Sequence, residues 1–169
     1  MPPAVALAAA GVAGVGRSSG PACGLTLEPE AGMVGAMSGP GDVPPEILDR
    51  LRAICGRLPE AYEEPAWIGV RWRIRKRTIA HVYIPDADRF SVYAPYLVDG
   101  EAPTVMTFRV PLDDLLGLTA GGFPFFRAGW GHNVAAVVLG DHTDWTEIAE
   151  LVTDSYCEMA PKFLAARVT

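Results

Sequence analysis

Apolar positions change their period several times along this chain, and each change marks an element. Ile47, Leu51, Ile54, Cys55 and Leu58 recur at 3.6-residue spacing, with Glu46, Asp49, Arg50 and Arg52 on the opposite face. That pattern predicts a surface helix packed by one stripe, opened by Pro44-Pro45 and closed at Pro59. From Ile68 the period drops to two: Ile68, Val70, Trp72 and Ile74 point one way, Arg71, Arg73 and Arg75 the other. A second β-rich run follows from Thr78 to Ile84, so the two read as an antiparallel hairpin with the basic tip Arg75-Lys76-Arg77. Ser91 to Val98 reads as a proline-broken edge strand and Thr104 to Val110 as a further strand. Pro111 opens a short helix through Leu118, stopped by Gly121-Gly122, and Val134 to Leu139 is a strand apolar throughout, hence central or buried on both faces. The last helix is the clearest: Asp144 with Glu147 forms a capping pair, the stripe is Ile148, Leu151, Val152, Ser155, Tyr156 and Met159, and Pro161 interrupts it.

Helices at both ends of a mostly antiparallel sheet predict an α+β domain, a two-layer α/β sandwich, over residues 41–169. Residues 1–40 are rich in Ala, Gly, Val and Pro and hold Arg17 as their one cation. They read as a disordered extension, with Met33 or Met37 as alternative starts. An export signal is the weaker reading of Val5 to Val15, because no cationic side chain precedes it and no clean cleavage site follows.

Composition narrows the class of protein. The 169 residues are 50% hydrophobic and 20% charged, which fits a globular domain large enough to bury a core without disulfide or metal staples. Cys23, Cys55 and Cys157 are an odd, scattered set, so neither a disulfide framework nor a zinc ribbon is indicated, and a reducing, cytoplasmic setting fits. No run of 18 apolar residues exists to span a membrane. His81, His132 and His142 lack metal-ligand spacing, and there is no G-x-S-x-G elbow, P-loop or dinucleotide fingerprint. The reading therefore leans away from an enzyme and assigns no cofactor, metal or catalytic residue.

A set of short motifs carries a family resemblance. In chain order they are Leu58-Pro59, Glu64-Pro65-Ala66-Trp67, Arg71-Trp72-Arg73-Ile74, Thr78-Ile79-Ala80-His81, Thr107-Phe108-Arg109 and Phe123-Pro124-Phe125-Phe126. Trp130-Gly131, Asp144-Trp145, Ser155-Tyr156 and Ala160-Pro161-Lys162 complete the series. Together, across roughly residues 46–165, the chain resembles the MmcQ/YjbR family of small bacterial proteins. The resemblance implies a CyaY-like fold and a DNA-binding label, and it supplies no catalytic residues. One departure is Lys76, where family members commonly carry a glycine at the hairpin tip; it makes the tip more basic.

Two candidate surfaces emerge. Arg71, Arg73, Arg75, Lys76 and Arg77 are five cations in seven residues, a comb that can meet successive phosphates of DNA or RNA, with Arg109 and Arg127 as possible extensions. Against it stands the acidity of residues 41–169, with 13 cations to 18 anions; the bland reading is a solvated strand face paired with Asp and Glu. The second surface is an aromatic cleft around residues 123–132 for a small aromatic ligand, drawn from Trp67, Trp72, Phe126, Trp130 and His132, with Arg127 or Arg73 fixing an anion. Its bland reading is a loop folded back to seal the sheet. The leading expectation is a non-enzymatic nucleic-acid-binding protein; the cleft is the alternative.

Overall fold

A computed structural model describes residues 43–86, 95–96 and 102–168. The N-terminal extension and nearly all of the expected Ser91–Val98 edge strand lie outside these residues.

Pro45 sits in the first turn of α1 (Pro45–Cys55), where its missing N–H costs nothing, and Ile47, Leu48, Leu51 and Cys55 form the buried stripe. The helix ends at Cys55, short of Pro59, because Gly56 already closes its last turn with a bond to Arg52 O at 2.9 Å. Six strands follow: β1 (Ala61–Pro65), β2 (Val70–Ile74), β3 (Arg77–Tyr83), β4 (Thr104–Arg109), β5 (Phe125–Arg127) and β6 (Val134–Leu139). They form one antiparallel sheet in the order β1-β2-β3-β4-β6-β5. The remaining helices are α2 (Leu112–Ala120), α3 (Trp145–Met159) and α4 (Lys162–Ala165). Asp144 caps α3 as its sequence predicts, its carboxylate accepting from the N–H of Thr146 and Glu147.

Buried helix residues pack on one side of the sheet only. Leu51, Leu115, Ile148, Val152, Tyr156 and Leu164 join Val70, Trp72, Ile74, Val82, Met106, Phe108 and Val137 in the main core. The other face carries a smaller apolar cluster of Tyr83, Val105, Phe126, Ala128, Val134 and Ala136, to which none of α1 to α4 contributes and against which Tyr96 packs. The architecture is thus an α+β sandwich with one face covered by helices and the other, among the described residues, helix-free.

Three local features depart from simple periodicity. β1 is an edge strand that pairs with all of β2 although its own residues are polar and end in proline. β5 is a three-residue strand inside the segment expected as loop, and it completes the far edge. Gly69, at a left-handed φ of +68°, breaks the alternation before β2, so Ile68 packs with the helix-free cluster and not with Val70 and Trp72.

Candidate functional site

Alternation on β2 sends Val70, Trp72 and Ile74 into the main core and leaves Arg71 and Arg73 on the helix-free face. There both arginines meet Glu64 of β1: Arg71 Nε lies 2.6 Å and Arg73 Nη1 2.9 Å from Glu64 Oε1. The hydrogen bond from Arg73, reinforced by that from Arg71, holds the Glu64 carboxyl below the usual carboxylate range against a smaller opposing effect of desolvation. Arg73 Nη2 also donates to Lys76 O, which pins the turn from below.

That turn is a two-residue loop, since Ile74 pairs with Arg77. The left-handed position falls on Arg75, at φ +53°, and not on Lys76. Tyr62 of β1 donates its hydroxyl to Arg75 O and helps to hold this conformation. Arg75 reaches Glu60 at 3.4 Å and lies over the ring of Phe163, 5.9 Å from its centroid. Arg77 donates to Met159 O at 3.3 Å, while Lys76 has no ion pair among the described residues. Beneath the tip opens a groove of about 890 Å³ lined by Tyr62, Ile74, Met159 and Pro161 as well as the three cations. Tyr62, which lines it, and Phe163, beside Arg75, are exposed aromatics.

The linear comb of the sequence is thus divided. Arg71 and Arg73 are clasped across the sheet, whereas Arg75, Lys76 and Arg77 project at its end. Arg127 lies on β5, at the opposite edge of the sheet from β1 and β2, and does not extend the tip. Arg109 lies on β4, mid-sheet, and shares a pocket of about 130 Å³ on the helix-free face with Arg71, His81, Thr107 and Trp130.

The aromatic residues do not gather into one cleft. Trp72 is 3% exposed in the helix-side core and Trp67 is 87% exposed at the β1–β2 turn. Phe126 is buried on the helix-free face, stacked on Tyr96 with ring centroids 4.5 Å apart. His132 is exposed and does not line the mid-sheet pocket. Trp130 alone of the five reaches that pocket, so the two surfaces expected from sequence meet there through Arg71, Arg109 and Trp130.

His81 and Thr107 are pocket residues that the sequence does not single out. Their signal is positional: Arg71, His81 and Thr107 are successive cross-strand partners, polar residues in register on one face. His81 Nε2 donates to Ile68 O at 2.7 Å, which fixes the neutral tautomer with its proton on Nε2. Burial, more than the nearby Arg71 charge, pushes the His81 imidazole below its ordinary value, while the bond to Ile68 opposes the shift. The unfolded chain therefore takes up a proton on this histidine before the folded one does. Its contribution to stability is complete above about pH 6.5 and is lost as pH falls from there towards the folded value. Denaturant unfolding at pH 7.5 and 5.5 is expected to show His81→Gln losing less stability than the parent on acidification; an equal loss in both would refute the assignment.

Other reactive groups are quiet. Burial pushes the Cys55 thiol up to about 12, so it stays protonated and unreactive. No group of three His, Cys, Asp or Glu side chains among the described residues is placed to hold a metal ion. Among the same residues no helix is long and apolar enough to cross a membrane.

Fold and site together define a small α+β scaffold with a cationic hairpin at one end of its sheet. The YjbR family model matches residues 56–158, more than half of the chain, and the protein belongs to that family. Comparison with curated proteins finds no match.

Proposed function

We propose that this is a non-enzymatic, cytoplasmic nucleic-acid-binding protein, acting on DNA in the first instance, and that the hairpin tip is its contact surface. The observation that carries this reading is the placement of Arg75, Lys76 and Arg77 around a groove lined by the exposed ring of Tyr62, with the exposed ring of Phe163 beside Arg75. Cations beside accessible aromatic faces suit a single strand, whose phosphates meet the charges while an unstacked base finds a ring. The acidic remainder of the domain favours contact at this end alone.

Three cations set the scale of the salt dependence. On single strands each neutralised phosphate contributes roughly −0.7 to the slope of log K against log salt, so a slope of about −2 is expected. Fluorescence anisotropy with labelled single- and double-stranded oligonucleotides across a salt series measures it. A slope near zero, or no binding at low salt, would sink the proposal.

A further inference from the structure

The pocket in the middle of the helix-free face is separate from the tip and has its own electrostatic problem. Arg109 is half-buried there, and among the described residues its guanidinium has a single hydrogen-bond partner, the neutral Asn133 Oδ1 at 2.8 Å from Nη1. No carboxylate among the described residues pairs with it. A guanidinium drawn partly out of water without a counter-charge is costly, and such groups are ordinarily paired.

Arg71 brings a second cation to the same pocket. Its bonds to Glu64 run through Nε and Nη2 to a single oxygen, Nη1 has no partner among the described residues, and that one carboxylate also serves Arg73. Among the described residues, the two guanidiniums that line the pocket have one carboxylate between them, Glu64, and Arg73 shares it. His81, held neutral, adds no charge, and Thr78 and Thr107 supply hydroxyls in the lining. Trp130 closes one side.

Size decides what fits. About 130 Å³ is well below the roughly 300–1,000 Å³ of a drug-sized ligand site. A folded cofactor is too large to be enclosed here, whereas one phosphate group or a short carboxylate fits between the lining side chains.

We propose that this pocket is an oxyanion site, taking a single phosphate or carboxylate group between the guanidiniums of Arg71 and Arg109, with Thr107 as a neutral hydrogen-bond donor. Charge-assisted bonds from two arginines provide the affinity, and the indole of Trp130 limits the body of the ligand to a few atoms.

The test uses the full-length chain, titrated separately with inorganic phosphate and with acetate at constant ionic strength and followed by amide and indole NMR shifts. Saturating shifts at His81, Thr107, Arg109 and the Trp130 indole, half-complete below about 10 mM, are expected for at least one anion. Which anion saturates identifies the oxyanion class. Arg109→Gln and, as an independent variant, Arg71→Gln should each weaken binding by about tenfold or more. Arg109→Lys, which keeps the charge, should retain part of it. No saturation by either anion up to about 50 mM would overturn the proposal. So would shifts centred on Arg75, Lys76 and Arg77, or affinity unchanged in both glutamine variants.

Discussion

Gly69→Ala is expected to destabilise the domain by about 3–5 kcal/mol, one of the largest effects available to a single methyl group here. Gly69 ends the turn between β1 and β2, where its carbonyl accepts from Ala66 N at 3.1 Å. Its φ of +68° costs an L-residue about 1–2 kcal/mol before any contact is considered. A Cβ at this position would lie 2.0 Å from Val82 O and 2.7 Å from Tyr83 Cβ. The obstacle is the backbone of β3, which cannot move without disturbing two strand pairings. The same kink turns Ile68 away from the main core, so relieving the clash would also misplace that side chain. Gly117, inside α2, is the natural control: a Cβ there meets nothing within 4 Å, and Gly117→Ala should stabilise by about 0.5–1 kcal/mol. Urea unfolding of the two variants separates them, and a loss below about 1 kcal/mol for Gly69→Ala would contradict the close approach.

Ser155→Ala should cost about 2–4 kcal/mol although it removes one oxygen atom. Ser155 is fully buried on α3, and its hydroxyl donates to Ile79 O at 2.6 Å while accepting from Arg109 N at 2.8 Å. Ile79 lies at the irregularity where the register between β2 and β3 shifts, and the regular pairing of β3 with β4 stops at Ala80 and Phe108. The serine bridges the two backbone groups that the interrupted ladder leaves apart. Alanine would leave a buried donor and a buried acceptor unsatisfied, each costing about 1–3 kcal/mol. Chemical denaturation measures the loss; a value under about 1 kcal/mol would mean that the backbone closes the ladder unaided. Because Arg109 is held through its own N–H, the variant should also weaken anion binding in the mid-sheet pocket.

Much of the fold is legible in the sequence because it rests on strong periodicity. The stripes of α1 and α3 and the alternation of β2, β4 and β6 report burial on one face or two, and Asp144 announces its own cap. β1 was hidden because an edge strand is held by its backbone: Tyr62, Glu63 and Glu64 alternate nothing apolar. β5 was hidden by its brevity among aromatic residues. The candidate site was legible as a count of charges and not as an arrangement. Cross-strand register decides which cations remain available, and it places Glu64 opposite Arg71 and Tyr62 opposite Arg73. The mid-sheet pocket needs the same register, since Arg71, His81 and Thr107 become neighbours only when three strands are aligned.

The central claim is that nucleic acid binds at the cationic tip, and not at the far edge of the sheet. It is tested most directly by anisotropy with a labelled single strand at low salt, comparing the parent with Arg75→Ala/Lys76→Ala/Arg77→Ala and with Arg127→Ala. The account predicts that the tip variant loses binding at least about tenfold while Arg127→Ala, at the far edge of the sheet, is unchanged. Undiminished binding by the tip variant would contradict it.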